Sequence, residues 1–515
     1  MTSPQPRPCW IAGKAEPGTG PGSGEIVVRH PYDGSEIARV SAPGGEQIEN
    51  AVATAAALAP EFRATPTHLR AAALQHVSSR LAERAEEVAE TIVAENGKPL
   101  KWARIEVSRA VSTFRFAAEE ARRFGGDWLP LDTDPSAEGR LAVVRRVPRG
   151  PVLGISPFNF PLNLVAHKVA PALAVVRRFP RGPVLGISPF NFPLNLVAHK
   201  IAPALAVGAP IVVKPAPKTP LSALVLGELL AETDLPGALY SVLPVPNERA
   251  GDLVAAPRLP VVSFTGSGPV GWGIRDRVPR KHVTLELGGN AAVVVCPDWT
   301  DEEWLATRVA TFSNYQAGQS CIAVQRVYLP ADRYDALAAR IVAAVEGLRT
   351  GDPAEESTDV GPMISEEAAE RVERWVAEAV AAGARVLTGG RREGSSYAPT
   401  VLAEAPPDAK VVAEEVFGPV LVLARYTELA EAFDLVNASE YGLQAGVFTR
   451  DQAVAFRAHR ELRVGGVIVG DVPSYRADQM PYGGAKQSGV GREGVRYAME
   501  DLSYERVLVL TGLDL

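Results

Sequence analysis

The sequence is poor in the features that mark disulfide-stabilised, nucleic-acid-binding and membrane-spanning proteins. Only three cysteines occur in 515 residues, Cys9, Cys296 and Cys321, which is too few for a disulfide framework and suits a reducing compartment. The formal net charge of −7 disfavours nucleic acid or an anionic membrane as the main partner. No apolar run is long enough to cross a bilayer, and residues 1–8 are not followed by the apolar core of a secretory signal. We therefore expect a cytoplasmic protein.

Short apolar segments alternate with helical patterns over most of the chain. The length allows two or three domains with ample core. Between residues 151 and 300, apolar segments such as APIVVKP and PVVSFTG alternate with helices, and a second alternating series runs from 300 to 475. This alternation is typical of parallel, doubly wound sheets, so we predict an α/β fold. The tail SYERVLVLTG has the pattern of an exposed apolar strand, which can pair with residues 139–147 or with another subunit.

An internal repeat interrupts the first alternating series. Residues 141–175 recur at 173–207, and the copies differ only in Val147 against Phe179 and Val169 against Ile201. Two almost identical copies indicate a recent tandem duplication, or an error of sequence assembly, rather than a solenoid. Each copy has the pattern of a strand, a loop and an amphipathic helix. Because a sheet accepts one copy at the native position, we expect the other to be extruded or packed irregularly, with some loss of stability.

Two segments 35 residues apart contain the strongest candidates for chemistry. Residues 283–290 read VTLELGGN, with Glu286 ahead of a Gly-Gly pair, and residues 318–326 read GQSCIAVQR around Cys321. A carboxylate can serve as a general base and a thiol as a nucleophile, and a covalent thiohemiacetal mechanism on an aldehyde needs both. A cysteine alone would be weak evidence, since free cysteines are usually small buried hydrophobic residues.

A glycine-rich turn follows an apolar strand within residues 259–271, LPVVSFTGSGPVG. Ser267 is placed to cap the next helix, and Pro269 suits its first turn. The backbone amides of Gly266 and Ser267 would then face a pyrophosphate at the helix N-terminus. The pattern is not a strict GxGxxG, so an ordinary strand–helix turn is an equally good interpretation.

Three further segments hold candidate polar groups, each with a simpler alternative. Lys214 ends a strand in APIVVKPAPKTP and can bind a ribose or a 2′-phosphate, or lie solvated at the surface. Asn191 lies between two prolines in PFNFP and can be a rigid oxyanion donor or a turn residue. In EEVFGP, Glu415 can hold a ribose with Phe417 packed against it, or the two are a surface acid and a core aromatic residue.

Together these segments resemble the aldehyde dehydrogenase superfamily, in the right order and over nearly the whole chain. LELGG and GQSC are similar to the family's glutamate and cysteine patterns, EEVFGP matches outright, and PFNFP has Phe190 where the family has Trp. KPAPKTP resembles the family's lysine motif, and MPYGGAKQSGVGREG at 480–494 resembles its C-terminal signature. Each motif is weak alone, but six in order are specific. The resemblance implies that an aldehyde is oxidised to its carboxylic acid with NAD or NADP.

The resemblance also implies roles for the candidate residues. Cys321 would attack the aldehyde, the Asn191 amide and the Cys321 backbone N–H would hold the alkoxide, and Glu286 would activate water to hydrolyse the thioester. The presence of Glu286 favours hydrolysis over transfer to coenzyme A. No metal site is predicted. The implied cofactor-binding residues are Lys214, Gly266, Ser267, Gly288, Glu415 and Phe417.

Two positions need a further argument from the resemblance. In the family, the oxyanion asparagine precedes the cofactor lysine by 23 residues, which favours Asn191 over its repeat copy Asn159. If the repeat breaks after its helix, Asn159 would occupy the site instead. Many NAD-using members carry Glu three residues after the lysine, where this chain has Pro217 followed by Lys218. We therefore expect NADP to be accepted as well as NAD.

The domain plan and the assembly are likewise expectations from the resemblance. We predict a Rossmann-like cofactor domain over residues 1–284, which contains the duplication at 143–174 and 175–206, and an α/β catalytic domain over 285–477. Residues 139–150 and 496–515 would form a β-ribbon for oligomerisation. Family members are usually dimers or tetramers, so a homodimer or homotetramer is expected.

The substrate is the least constrained property. Arg476 precedes the C-terminal signature; if it faces the substrate entrance it would favour an aldehyde carrying a carboxylate, phosphate or sulfonate, and otherwise it is a surface arginine. Tyr482 is a second candidate for the pocket lining. Two other functions stay open: a catalytically impaired paralogue with a binding or structural role, which the duplication favours, and a thiol hydrolase without redox chemistry, which the cofactor motifs disfavour.

Overall fold

The computed structural model describes residues 5–62, 65–130, 140–148, 152–154, 184–187, 202 and 204–511. Within these residues, the helices and strands confirm the predicted α/β fold class. The helices are α1 (Gly45–Phe62), α2 (Thr67–Glu83), α3 (Ala85–Asn96), α4 (Leu100–Arg123), α5 (Leu221–Ala231), α6 (Ala250–Ala255), α7 (Gly268–Arg277), α8 (Glu302–Asn314), α9 (Tyr334–Glu346), α10 (Glu366–Ala381), α11 (Lys410–Ala413), α12 (Leu429–Asn437), α13 (Gln452–Glu461) and α14 (Val495–Asp501). The strands are β1 (Cys9–Ile11), β2 (Lys14–Glu16), β3 (Gly24–Arg29), β4 (Glu36–Ala42), β5 (Asp127–Pro130), β6 (Arg140–Pro148), β7 (Val152–Gly154), β8 (Val184–Ile187), β9 (Ile211–Lys214), β10 (Tyr240–Val242), β11 (Val261–Thr265), β12 (His282–Glu286), β13 (Ala291–Val295), β14 (Val324–Pro330), β15 (Arg385–Thr388), β16 (Arg392–Glu393), β17 (Ser396–Tyr397), β18 (Thr400–Ala403), β19 (Val420–Tyr426), β20 (Tyr441–Gly442), β21 (Gln444–Phe448), β22 (Gly466–Val469), β23 (Ala485–Lys486), β24 (Gly489–Val490) and β25 (Ser503–Thr511).

The first sheet has a parallel centre and antiparallel edges. Its strand order is β2-β1-β10-β9-β7-β11-β12-β24, with β8 also paired to β9. The strands from β10 to β12 in this order run parallel, whereas β1, β2 and β24 pair antiparallel with their neighbours. Helices α5, α6 and α7 connect β9, β10, β11 and β12 in turn, as in a Rossmann-like unit. The loops after the parallel strands therefore meet at one edge, where α/β proteins bind their ligands.

Continuous apolar runs explain why the central strands are buried on both faces. Every residue of β9 and of β11 is buried, which is the pattern of parallel strands covered by helices on each side. The helices α1 to α4 contribute apolar side chains to the same core: Leu74 and Phe114 belong to one cluster with Val213 and Val262 of the sheet. None of the helices in the described ranges combines the length and apolarity needed to cross a bilayer.

The two copies of the repeat approach the same strand in the same register. Strand β7 from the first copy and β8 from the second both pair parallel with β9, so that Val152 and Val184 each lie opposite Ile211. The other edge of β9 is occupied by β10. We expected one copy to be extruded or packed irregularly, and the strand segments of both copies lie at the same edge of β9. One edge of a strand holds one hydrogen-bonded neighbour, so identical strands are alternative occupants of this position.

A second sheet of seven strands has the order β15-β18-β19-β14-β13-β21-β22 and is parallel except at β15. Alternate residues of β13 face two different apolar clusters: Val293 and Val295 pack in one, Ala292 and Val294 in the other. Helices therefore cover both faces of this sheet as well. The chain passes from the first sheet to the second between β12 and β13. The predicted domain boundaries at residues 284 and 477 stay predictions.

A separate antiparallel sheet joins the tail to the start of the first repeat copy. Strand β25 pairs with β6 from Ser503 opposite Pro148 to Thr511 opposite Arg140, and β5 adds a third strand on the far side of β6. The tail strand is thus paired within the chain, and the predicted two-part ribbon has three strands. On β25 the side chains from Val507 to Val509 are exposed.

Candidate active site and cofactor cavity

Glu286 is the last residue of β12 and is buried within the first sheet. It lies opposite Thr265 of β11 on one side and Gly489 of β24 on the other. Its main-chain oxygen accepts a hydrogen bond from the N–H of Gly266, in the turn after β11. The carboxylate therefore belongs to the sheet edge at which parallel strands end, and not to the protein surface.

The two glycines after Glu286 allow three chain segments to meet. A Cβ atom at Gly288 would clash with the carboxylate of Glu415, and one at Gly289 would clash with the main-chain oxygen of Cys321. The N–H of Gly289 donates to Glu415 Oε1 at 2.8 Å. Only residues without a Cβ permit so close an approach. The Gly-Gly pair thus brings the Cys321 loop and the Glu415 loop against the end of β12.

Cys321 lies in a loop that starts with strained backbone. After α8, Gln316 and Ala317 have φ values of 55° and 53°, a conformation that non-glycine residues rarely adopt and that concentrates at functional sites. Four residues after Ala317 the chain reaches Cys321, whose Sγ lies 3.2 Å from Tyr482 Oη. The loop therefore holds the thiol against a phenol hydroxyl.

Charged groups on several elements act on the Cys321 thiol. Burial has the largest influence and raises the pKa of the thiol to about 11. The hydrogen bond with Tyr482 lowers this pKa, the carboxylates of Glu415 and Glu286 raise it, and the charge of Arg476 lowers it. Cys321 and Glu286, the two predicted catalytic residues, are therefore within electrostatic reach of each other. In this environment the thiolate is scarce at neutral pH.

Arg476 stacks on the aromatic ring that contacts Cys321. Its Cζ lies 3.8 Å from the ring centroid of Tyr482, and its Nη2 lies 3.1 Å from Glu493 Oε2. The side chain is 3% exposed, so Arg476 is not a surface residue. Within the described residues its Nε has no hydrogen-bond acceptor. Burial lowers the pKa of the guanidinium to about 10, and the group stays charged at neutral pH.

A second arginine, Arg109 of α4, lies near the first. Its Nη2 is 2.8 Å from Asp478 Oδ1. Its charge adds to the lowering of the Arg476 pKa that burial causes, and it opposes the rise that burial causes in the pKa of Tyr315. Sequence reasoning missed Arg109, Asp478 and Glu493. Only Glu493 had a sequence signal, as an acid among the glycines of the C-terminal signature. Arg109 lies on an ordinary amphipathic helix, 369 positions from its partner.

A cavity of about 800 Å³ opens beside the turn between β11 and α7. Gly266 and Ser267 line it, Ser267 holds the N-cap position of α7, and Pro269 lies in the first turn of the helix. The predicted side-chain cap is wrong, because the Ser267 hydroxyl makes no capping hydrogen bond among the described residues. The volume is typical of a cofactor site, and the N–H groups that begin a helix favour a phosphate. These residues therefore fit part of NAD or NADP.

Lys214 is hydrogen-bonded to a side chain that lines the cavity. Its Nζ donates to Asn247 Oδ1 at 2.9 Å and to the Pro215 oxygen at 3.1 Å. Lys214 is fully buried, so the predicted solvated alternative is wrong, and this burial lowers its pKa to about 7. Asn247 itself lines the cavity, as do Pro217 and Lys218. Sequence reasoning missed Asn247, since nothing in its loop marks it.

Of the remaining predicted residues, two lie on a loop at the site and two lie outside the described residues. Glu415 and Phe417 lie on the loop between α11 and β19, where burial raises the pKa of Glu415 to about 7 and Phe417 has a φ of 49°. Glu415 is thus at the junction with Gly288 and is not a solvated surface acid. Both candidate oxyanion donors, Asn191 and Asn159, lie outside the described residues, so the choice between them stays a prediction.

Comparison with known proteins identifies the family to which this chain is related. The model of the aldehyde dehydrogenase family matches residues 19–176 and again 174–508. Each matched segment contains one copy of the repeat, and the segments meet where the copies abut. The two together span most of the chain, so the family relationship extends well beyond the repeat.

Individual relatives match over nearly their full length. The 3-sulfolactaldehyde dehydrogenase of Priestia aryabhattai is 40% identical over 488 residues, which cover 94% of this chain and 95% of that protein. The crystal structure of aldehyde dehydrogenase 21 from Physcomitrella patens, in complex with the reaction product succinate, has a TM-score of 0.90 and 41% identity, and covers 100% of both chains. The glyceraldehyde-3-phosphate dehydrogenase of Methanocaldococcus jannaschii, complexed with NADP, has a TM-score of 0.84 and 33% identity over 94% of this chain and 99% of that one. The chain therefore belongs to the aldehyde dehydrogenase family and is an NAD(P)-dependent aldehyde dehydrogenase.

Proposed function

We propose that this enzyme oxidises an aldehyde carrying an anionic group to the corresponding acid. The observation that supports this most is the buried guanidinium of Arg476, stacked on the ring whose hydroxyl contacts Cys321. A buried donor without an acceptor is unfavourable, and a carboxylate, sulfonate or phosphate in the pocket would supply one for Arg476 Nε. The three relatives described above are named for a sulfonate or phosphate substrate or hold a dicarboxylic product, which favours the same class.

In the proposed mechanism the chain's own residues carry out two chemical steps. The Cys321 thiolate attacks the aldehyde carbon to form a thiohemiacetal, whose alkoxide accepts hydrogen bonds from the Cys321 N–H and from the side chain of Asn191. The bound cofactor supplies the hydride acceptor. Glu286 then takes a proton from water, which attacks the resulting thioester and releases the acid. Burial of Glu286 beside the Gly-Gly pair keeps this base close to the sulfur-bearing loop.

The proposed cofactor contacts follow from the cavity. The N–H groups of Gly266 and Ser267 would bind the pyrophosphate at the start of α7. Lys214 would act at the adenosine end together with Asn247, to which it is hydrogen-bonded. On the other side of the site we assign Gly288, Glu415 and Phe417 to the nicotinamide half, because Glu415 is already held against the end of β12.

Replacing Arg476 is expected to separate anionic from neutral substrates. In Arg476→Gln, kcat/KM for an anionic aldehyde such as succinic semialdehyde should fall about 10- to 150-fold, since a hydrogen bond to a charged group contributes about 1.5–3 kcal/mol. For propanal it should fall much less, because only the loss of the Arg476 charge that favours ionisation of Cys321 acts on a neutral substrate. The measurement is the absorbance of reduced nicotinamide with both aldehydes.

Two further variants make the Arg476 experiment decisive. The double change Arg476→Gln with Glu493→Gln removes both charges of the buried pair and so avoids an uncompensated acid. Arg333→Gln removes another paired arginine, which bonds Glu302 at the far end of the second sheet, and should leave both substrates unaffected. Equal losses for propanal and succinic semialdehyde in the double variant would contradict the anionic-substrate proposal.

A single substitution at Pro217 is expected to change cofactor preference. We propose that NADP is accepted because Pro217 places no carboxylate in the cavity, which Lys218 also lines. Pro217→Glu should raise KM for NADP about tenfold, since a carboxylate about 5 Å from a 2′-phosphate repels it by 1–2 kcal/mol even in water, and should leave KM for NAD nearly unchanged. Pro217→Gln controls for side-chain size. Identical cofactor ratios in the Glu and Gln variants would argue against a 2′-phosphate at this position.

We also propose that the enzyme is a homodimer or homotetramer. The exposed apolar side chains of Val507, Leu508 and Val509 lie on the tail strand β25, and an edge strand of this kind favours pairing with another copy. Sedimentation velocity at micromolar concentration tests the proposal, which a monomer alone would contradict. A catalytically impaired paralogue and a thiol hydrolase without redox chemistry are not favoured, since the relatives are named as dehydrogenases.

A further inference from the structure

Tyr482 is held in place by more contacts than a pocket-lining residue needs. Its main chain forms a bridge with Glu493, in which each residue donates an N–H to the oxygen of the other. The carboxylate of Glu493 binds Arg476, and the guanidinium of Arg476 covers the Tyr482 ring. Ile322 and Leu443 form one apolar cluster with Tyr482, and Cys321 packs against this cluster. This closed set of contacts fixes the direction of the phenol, which ends at Cys321 Sγ.

We propose that the Tyr482 hydroxyl is a catalytic hydrogen-bond donor to the Cys321 thiolate, which stabilises the nucleophile before substrate arrives. The proposal rests on the 3.2 Å distance between the two atoms and on the contacts that fix the ring. It goes beyond the proposed function, because it concerns the resting enzyme and does not depend on the substrate's charge.

The direction of this hydrogen bond follows from which group ionises first. Burial, the largest influence, raises the pKa of Tyr482 well above that of a free phenol, so the hydroxyl keeps its proton throughout the working range. The thiol is the more acidic partner, and once ionised the sulfur can only accept. The charge of Arg476 over the ring opposes the rise in the phenol pKa and strengthens the hydroxyl as a donor.

Other charges around Cys321 make such a donor necessary. Among the described residues, the carboxylates of Glu286 and Glu415 oppose ionisation of the thiol, whereas Arg476 and the Tyr482 hydroxyl favour it. Tyr315, whose pKa the charge of Cys321 raises, has its hydroxyl bonded to Ser320 Oγ at 2.5 Å. A hydrogen bond to sulfur from a neutral group adds no charge, and therefore stabilises the thiolate without attracting the carboxylates.

Alkylation of the enzyme without cofactor or aldehyde tests the proposal. In Tyr482→Phe the pKa of the Cys321 thiol should rise by about 1–2 units. This rise corresponds to the free energy that a hydrogen bond to a charged group usually contributes. The lost thiolate fraction is partly offset by greater nucleophilicity, so the rate with iodoacetamide between pH 7 and 9.5 should fall about three- to tenfold. The reaction of Cys321→Ala, which reports any other cysteine, is subtracted as the blank.

Two further variants separate this role from a structural one. Tyr426→Phe removes a buried hydroxyl that donates to the Val295 oxygen in the second sheet, and should alkylate like the wild type. Tyr482→3,5-difluorotyrosine keeps the ring but donates a stronger hydrogen bond, and should alkylate faster than the wild type. If Tyr482→Phe reacts as fast as the wild type or faster, or if the fluorinated protein does not react faster, the hydroxyl is not a donor to the thiolate. Because no aldehyde is present, neither result depends on the anionic-substrate proposal.

Discussion

Cys321→Ala is expected to lower the rate of cofactor reduction by about 10⁴-fold or more, because the proposed covalent pathway has no other nucleophile. Cys296 provides the matched control. It is fully buried in the core of the second sheet, so Cys296→Ala should retain activity even if it loses some stability. The measurement is the absorbance of reduced nicotinamide with NAD and NADP. Turnover by Cys321→Ala near the wild-type rate would exclude the covalent mechanism.

Glu286→Gln divides the same reaction into its two steps. The amide cannot take a proton from water, so thioester hydrolysis should slow by about 10²- to 10⁴-fold. Attack by Cys321 on the aldehyde and hydride transfer from the thiohemiacetal to the cofactor should continue. We expect a burst of about one equivalent of reduced cofactor per active site in stopped flow, followed by a slow steady state. Mass spectrometry of the quenched protein should show the acyl group on Cys321. Absence of both the burst and the acyl group would place Glu286 before the hydride step.

Removal of one repeat copy is expected to give the largest gain in stability. Deleting residues 143–174 or 175–206 leaves one strand for the edge of β9, where the copies now pair with the same residues. Closing a 32-residue insertion carries an entropic penalty of about 3 kcal/mol, from 1.5RT ln n. The free energy of unfolding should rise by about this amount, and the active fraction should rise with it. Urea denaturation and active-site titration with iodoacetamide measure the two quantities.

The two deletions control for each other. Their products differ only at the positions of Val147 against Phe179 and Val169 against Ile201, so they should agree closely in stability and activity. The family model matches the chain in two segments that each include one copy, which supports the interpretation that one copy suffices. If either product is inactive or less stable than the 515-residue chain, both copies take part in the native fold.

The predictable part of the site consists of residues in local patterns. Glu286 before a Gly-Gly pair and Cys321 in GQSC were singled out from their neighbours alone, as was the turn at Gly266. The turn also shows the limit of local reasoning. Ser267 takes the predicted N-cap position, yet its hydroxyl does not make the predicted capping hydrogen bond among the described residues.

The surroundings of Cys321 could not be predicted in this way. Tyr482 lies 161 positions from Cys321, and Asp478 lies 369 positions from Arg109. No pattern within one helix or strand shows which of many arginines will be buried beside a thiol. Similarly, the repeat is evident in the sequence, but only the structure shows that the strand segments of both copies lie at the same edge of β9.

The sequence by itself determined the α/β fold class, the pair of residues proposed for catalysis and the repeat, because apolar periodicity, short motifs and identity between segments are properties of neighbouring residues. Only the tertiary structure decided that Arg476 is buried, that it stacks on Tyr482, and that the phenol contacts Cys321. Those relations arise when strand ends and loops from distant parts of the chain pack at one sheet edge. Burial and charge then act on each group through neighbours in space that are remote in sequence.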